Sequence, residues 1–340
     1  MKTLATLALL LATSTVAMAD DAKVLLKYKF DEGDLIRSKI VHLSTVETKI
    51  KGSTQTAQSR SISTKQWKVE GVDKEGLATF VHSVESIDMW QKVTDRPEQR
   101  YNSQTDQEPP AIYAVAAQSV GIPLARITVD PQGRLVQRKQ LGGTPSGETQ
   151  ILPILPEEPI AVGSAWYSPD DLTVRAGNGK QKHIKTRQVF RLESVTGNVA
   201  TISTETQILT PIDDPMLKVE LIQKLTRGKV KFDIAAGRLI SQQLDLDETI
   251  IGFQGETSVM NYLGRMTEEL LPGPPAKVAA MPAAPTPAAE PAKVAEPQEP
   301  AKIASKPTAP RRLDGVPTLA DPATKPVEKE EEATEGPDLD

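Results

Sequence analysis

The residues able to do chemistry are few and scattered. The chain carries three histidines, His42, His82 and His183, and no cysteine. Without cysteine there is no thiolate zinc site, no cysteine nucleophile, no disulfide framework and no acylated lipoprotein cysteine. Three widely spaced histidines argue against a multi-histidine metal centre. The carboxylates cluster at Asp170-Asp171, Asp213-Asp214 and Asp245-Leu-Asp247-Glu248. Oxygen ligands at alternate positions can hold calcium, but the calcium-loop spacing and its glycine are missing, so these read as solvated strand faces. His82 falls on one strand face with Phe80 and Val84, with no acidic neighbour in the sequence, and reads as a core or rim histidine rather than a general base. His42 and His183 read as exposed. Gly142-Gly-Thr-Pro-Ser-Gly147 and Ala176-Gly-Asn-Gly-Lys180 share only the composition of phosphate loops. No Gly-x-Ser-x-Gly elbow, Ser-x-x-Lys pair or His-Glu-x-x-His helix occurs. The expectation is a non-catalytic protein with no cofactor and no metal.

The aromatic side chains are the remaining signal. If the chain folds as a curved sheet, Trp67, Phe80, Trp90, Trp166 and Phe190 are the candidates to line its concave side and to meet an acyl chain or an apolar segment of a partner. The competing reading is that they, with Tyr167, simply form the core of an aromatic-poor protein.

The elements that must position these residues are strands. In Leu26-Lys-Tyr-Lys-Phe30, apolar residues recur at every second position, as they do in Trp67-Lys-Val69 and Ala78-Thr-Phe80-Val-His82-Ser-Val84. Along Ile240–Asp247, Gln243, Asp245 and Asp247 face away from Leu244 and Leu246. Such period-two alternation makes half-buried strands with one wet face. Asp73-Lys-Glu-Gly76, Asp130-Pro-Gln-Gly133, Thr196-Gly-Asn198 and Ala235-Ala-Gly237 supply the turns between them. The polar stretch from Gly52 to Thr64 fits an exposed edge or a mobile loop. One helix is expected over Pro109–Ser119, where prolines open an alanine-rich run and Gly121 and Pro123 stop it. Asp214–Leu225 is ambiguous, and its Val219-Glu-Leu221 rhythm favours a strand.

The alternation is duplicated. Trp67-Lys-Val69, a turn at Gly76 and Ala78-Thr-Phe80 match Phe190-Arg-Leu192, a turn at Gly197 and Ala200-Thr-Ile202. Gly133-Arg-Leu135 matches Gly237-Arg-Leu239 in the same order. The sequence thus divides into β repeat 1 over 20–140, a Gly/Pro-rich link over 141–159 and β repeat 2 over 160–271, within one domain. The predicted fold class is mainly β: a curved antiparallel sheet or half-barrel with one or two short helices.

Both ends differ from this middle. Residues 1–19 read as a signal peptide, with Lys2, an apolar run from Leu4 to Ala12 and the small-x-small site Ala17-Met-Ala19. That run is too short to span a bilayer, and no later segment is apolar enough, so no transmembrane segment is expected after cleavage. Residues 272–340 hold 15 of the 27 prolines, no aromatic residue and a charge of −4 out of the −5 total. The expectation there is a disordered tail with polyproline-II character. The mild acidity excludes a general nucleic-acid binder.

Tyr28, Phe30, Gly33 and Asp34 at the start, and Pro159, Val162, Gly163 and Trp166 opening the second half, give a pattern that resembles uncharacterised secreted proteins of planctomycete-like bacteria. In fold these are similar to the half-barrel carriers that move lipoproteins across the periplasm. The resemblance implies a periplasmic or extracellular protein with a curved sheet around a hydrophobic cavity, and lipid, lipoprotein or envelope protein as its partners. It transfers no site residue. The sequence reading is therefore an exported binding protein. The alternatives are a structural or interaction protein with a filled core and, more distantly, a carboxylate-based hydrolase.

Overall fold

Alternating apolar and polar residues over most of the chain build strands that need partners on both sides. The computed structural model describes residues 23–143, 150–175 and 181–273. The expected signal peptide, most of the expected tail from residue 274 and parts of both glycine-rich loops lie outside the described residues. The strands are β1 (Leu35–Ile50), β2 (Ser53–Val72), β3 (Ala78–Val93), β4 (Gln99–Asn102), β5 (Pro123–Val129) and β6 (Leu135–Gln140), then β7 (Ala165–Arg175), β8 (Gln181–Thr196), β9 (Val199–Ile208), β10 (Arg227–Asp233), β11 (Arg238–Ile251) and β12 (Val259–Leu270). They form one antiparallel, open, curved sheet of twelve strands, in the order β6-β5-β3-β2-β1-β12-β11-β10-β9-β8-β7, with β4 beside β3. The fold is mainly β, as the alternation predicts.

Most of the polar stretch 52–64 is an inner strand rather than an edge or a loop. Gly52 closes the turn from β1, Ser53–Thr56 pair with β1 alone, and from Ala57 to Thr64 the strand lies between β1 and β3. Its serines and threonines gain little from burial, but the ladder satisfies their backbone groups on both sides. Ser44 and Ser59 also share a hydrogen bond of 2.8 Å across the strands.

Two short helices interrupt the strands. A 3-10 turn at Ala111–Tyr113 leads into α1 (Ala114–Gln118), where proline and alanine predict a helix. The second, α2 (Pro215–Leu221), replaces the strand expected there. Asp214 is its N-cap, with Oδ1 accepting from the Met216 amide at 2.9 Å, and Pro215 occupies the first turn. Leu217 and Leu221, four residues apart, then point inward together. Cap and helical spacing outweigh the weak alternation of Val219-Glu-Leu221.

One face of the sheet is packed. Trp67, Val69, Phe80, Ile127 and Val129 come from β2, β3 and β5, and Phe190, Leu192, Ile202, Val230 and Phe232 from β8, β9 and β10. They share a core with Leu26 and Tyr28 before β1 and with Leu152, Ile154 and Leu155 of the link. Leu26-Lys-Tyr-Lys-Phe30 keeps its alternation but joins no ladder. It threads between the turns at Gly133 and Gly237, the Tyr28 amide donating to the Pro131 carbonyl at 2.8 Å and the Lys29 amide to the Gly237 carbonyl at 3.0 Å. Among the described residues, 23–143, 150–175 and 181–271 belong to one compact unit.

The residues that the sequence matches occupy comparable places. Trp67 and Phe190, and Phe80 and Ile202, are all buried in the shared core, although the ring stacks differ: Trp67 stacks on Phe80 at 4.5 Å and Phe190 on Trp166 at 5.5 Å. The register slips between Val69 and Gly71 in β2 and between Leu192 and Ser194 in β8. It slips again between Thr128 and Val129 in β5 and between Lys231 and Phe232 in β10. Bulges of this kind bend a sheet and raise its twist, which wraps it around the core.

Candidate functional site

Four of the five candidate binding aromatics are core residues. Trp67, Phe80 and Phe190 are buried and Trp166 packs against them, its Nε1 donating to the Ile154 carbonyl at 2.7 Å. The space left beside Trp67, bounded by Tyr28, Ser38, Arg238 and Glu268 among others, is about 20 Å³. That is room for about one water molecule. Only Trp90 lies elsewhere, and it leads to the site described below.

At the margin of the core the packed face turns polar. Glu268 on β12 is 4% exposed, and its Oε1 lies 2.6 Å from Lys65 Nζ on β2. Gln242 Nε2 donates to Glu268 Oε2 at 2.8 Å, and Ser38 bonds the same carboxylate. Lys65 Nζ also sits 4.3 Å above the Trp67 ring. Burial would raise the Glu268 carboxyl, but the Lys65 charge and these hydrogen bonds hold it below its ordinary value. Trp67 Nε1 donates to His82 Nδ1 at 3.1 Å. His82 is thus a rim histidine paired with an indole, not with an acid. Burial first, then the charges of Lys65 and Arg138, lower it to about 4.

That shift has a sign. Unfolded His82 titrates near 6.5, and folded His82 stays neutral until about pH 4. Between these values the unfolded chain binds the extra proton, so stability is complete above pH 6.5 and declines as pH falls towards 4. The decline is expected to total about 2–3 kcal/mol. Urea unfolding midpoints at pH 7, 5.5 and 4.5 measure it. His82→Gln, which keeps an acceptor for the indole, should flatten the slope between pH 6.5 and 4.5; an unchanged slope would rule His82 out as its source.

Two of the other clusters that the sequence singles out make local contacts. On the strand pair β7–β8, His183 Nδ1 lies 3.3 Å from Asp171 Oδ1 and 3.5 Å from Thr173 Oγ1. One nitrogen serves both neighbours, so the ring cannot relay a proton from hydroxyl to carboxylate, which takes its two opposite nitrogens. Asp214 caps α2. No group of three or more metal-ligating side chains gathers among the described residues.

The large concavity is on the opposite face of the sheet. A groove of about 890 Å³ is lined by Leu43, Arg60, Trp90, Arg100, Arg227, Asp245 and Arg265, with Gln58, Asp247 and Leu263 beside them. The register explains why these residues meet. Arg227 on β10 faces Asp245 on β11, which faces Arg265 on β12. Arg265 faces Leu43 on β1, which faces Arg60 on β2. Arg60 faces Trp90 on β3, which faces Arg100 on β4. The groove is one transverse row across seven strands, and arginine stands on every second strand. Neighbouring strands are ~4.8 Å apart, so the arginines recur at ~9.6 Å.

Three of the guanidinium groups are held by carboxylates. Arg265 Nε donates to Asp245 Oδ1 at 2.6 Å, Arg100 Nε to Glu98 Oε1 at 2.5 Å and Arg60 Nη2 to Asp88 Oδ1 at 3.3 Å. Burial would raise Asp245, but hydrogen bonds from Arg265 and Gln243 and the charges of Arg265 and Arg227 hold it low. The hydrogen bond from Arg100 holds Glu98 low in the same way. A guanidinium carries five N–H donors in a fixed fork, so each arginine keeps donors for a further acceptor. Between the charges lie apolar surfaces, with Leu43 44% and Leu263 52% exposed. In the sequence, alternation places Asp245 on a wet strand face, while Arg60 falls in the polar stretch that fits an edge or a loop. Their alignment is invisible there, because it depends on register between strands far apart in the chain.

No family model and no curated protein matches the chain. Among solved structures it is similar to lipovitellin, in a structure described for its lipid–protein interactions, at 11% identity and a TM-score of 0.39, over 74% of this chain and 27% of that one. The chain thus spans about a quarter of the length of lipovitellin. It is also similar to DynF from the dynemicin biosynthesis pathway of Micromonospora chersina (7% identity, TM-score 0.20, 74% and 86% coverage) and to OpdQ of Pseudomonas aeruginosa (9% identity, TM-score 0.22, 70% and 99% coverage). Likenesses this remote carry no functional argument.

Proposed function

We propose that this is an exported, non-catalytic binding protein whose arginine-lined groove seats an extended, negatively charged segment of a partner in the cell envelope. The observation that carries the reading is the row of four arginines across seven strands, interleaved with Leu43 and Trp90. A row of forked donors favours carboxylate or phosphate groups presented in series. The exposed leucines and the indole favour a ligand with apolar groups between its charges. The 20 Å³ space beside the core aromatics gives an acyl chain no room there, which moves the binding surface from the packed face to the opposite one. Lys2, the short apolar run and Ala17-Met-Ala19 support export. The matched residues and matched bulges support a domain built from two copies of one β unit.

Fluorescence anisotropy of a fluorescein-labelled poly-glutamate peptide tests the groove. Binding is expected at low salt and should weaken as salt screens the exposed charges. Arg60→Gln with Arg265→Gln should weaken it about tenfold, or ~1.4 kcal/mol. No binding, or binding indifferent to both substitutions, would overturn the assignment. So would tighter, arginine-independent binding to neutral phosphatidylcholine vesicles, which would point to an apolar lipid ligand.

A further inference from the structure

We infer that the groove reads an acidic peptide in polyproline-II conformation with a carboxylate at every third residue. This inference rests on the groove reading above and specifies its ligand. The row places Arg227, Arg265, Arg60 and Arg100 on alternate strands, ~9.6 Å apart, so that the set spans ~29 Å. A ligand laid along the row must present anions at that pitch and on one side.

Backbone geometry selects among peptide conformations. In a β-strand, residues i and i+3 are ~10 Å apart but project to opposite faces, so a strand cannot point successive anions at the row at that interval. In an α-helix, a ~9.6 Å separation takes six residues at ~1.5 Å each, which rotates the side chain well off the face. In polyproline II the rise is ~3.1 Å with three residues per turn, so every third side chain returns to the same face after ~9.3 Å. Four carboxylates at this interval span ~28 Å and fall opposite the four arginines.

The residues between the arginines fit the same ligand. Trp90 stands between Arg60 and Arg100, and Leu43 between Arg265 and Arg60. An aromatic surface beside a regular groove is how proline-rich helices are commonly received, because the preformed helix loses little entropy on binding. The side chains of proline and alanine between the carboxylates would meet Trp90 and Leu43. Asp245, Asp88 and Glu98 fix three of the arginines and also temper the local positive charge. Binding is therefore selective for spacing more than for total charge. The same spacing occurs in the chain itself, where Glu332, Glu335 and Asp338 lie three residues apart beside Pro337.

The test compares three fluorescein-labelled peptides on the full chain. One is four Glu-Pro-Ala repeats. The second has the same composition, with its four glutamates in one block. The third places four glutamates at every second residue among alanines. The repeat peptide is expected to bind at least about fivefold more tightly than either of the others. Arg60→Gln with Arg265→Gln should remove that preference, and Trp90→Leu should reduce it. Equal affinity for the three peptides would overturn the spacing inference while leaving the groove an anion-binding surface. Failure of all three peptides to bind would overturn both readings. Tighter binding of an acidic polysaccharide, tested with oligogalacturonate, would assign the row to a different class of polymer and overturn the peptide assignment.

Discussion

Replacing Glu268 by glutamine is expected to destabilise the protein by about 3–4 kcal/mol. The substitution keeps the shape of the side chain and removes only its charge. Lys65, 2.6 Å away and 14% exposed, would then keep a positive charge at the margin of the core with no counter-ion. Its contact with the Trp67 ring offsets only part of that cost, ~1 kcal/mol. Gln242 and Ser38, which now bond the carboxylate, would share a weaker acceptor. In a domain of this size the loss corresponds to roughly 10 °C in Tm. The second substitution Lys65→Met should recover most of it, because removing both charges ends the desolvation cost that the pair carries. Differential scanning calorimetry of the single and double variants measures both values. If Glu268→Gln lowers Tm by less than about 3 °C, the pair is no more than an exposed ion pair.

An alanine at Gly133 should cost about 3–4 kcal/mol, and one at Gly237 a comparable amount. At Gly133 the backbone has φ +86°, where a side chain costs ~1–2 kcal/mol before any contact is counted. A Cβ there would lie 2.6 Å from Tyr28 Cε2 and 3.0 Å from the Pro153 carbonyl oxygen. Tyr28 is buried between the two hairpins, and its hydroxyl donates to that same carbonyl at 3.0 Å. Displacing its ring disturbs the stack with Phe30 and the edge contact with Phe232, and overpacking of this kind adds ~1–3 kcal/mol. At Gly237, φ is +63° and the added Cβ would meet the Lys29 amide nitrogen at 2.7 Å. That amide donates to the Gly237 carbonyl, so the clash falls on the bond that docks the N-terminal segment. Urea unfolding checks both variants. Gly76→Ala is the control, since that glycine also has φ +85° but meets only Pro131 Cγ, at 3.0 Å. If all three substitutions cost the same, backbone conformation alone explains the glycines and the threading segment adds nothing.

These two predictions concern features that the sequence displays unequally. Gly133 and Gly237 stand out as members of the matched Gly-Arg-Leu turns. The turns account for their positive φ, and nothing in the sequence shows that one segment, Tyr28-Lys29, crosses both. Lys65 and Glu268 are ordinary charged residues on alternating strands. Their pairing across β1 joins positions 203 apart in the chain, which no local pattern encodes. The aromatics are legible as core, the reading favoured for them over ligand binding, because burial follows hydrophobicity. The binding reading attached to them required a cavity, and stacking of Trp67 on Phe80 and of Trp166 on Phe190 fills that space. The helix at Pro215–Leu221 stands where the local alternation predicts a strand. Its Asp-Pro cap and two leucines four apart favour a helix more strongly than the three-residue alternation Val219-Glu-Leu221 favours a strand.

The sequence by itself determined the strands, their wet and dry faces, their turns and the mainly β class. Each follows from the period of two along a strand and from the conformational freedom of glycine, and both act within a few residues. The tertiary structure decided which strands became neighbours, and with that everything the groove depends on. Arg227, Arg265, Arg60 and Arg100 are scattered through the chain, and no spacing along it links them. They form a row because β1 pairs with β12 and so brings the first strand and the last together at the middle of the sheet. Pairing fixes register, and a slip of one residue in any strand would turn its arginine to the packed face.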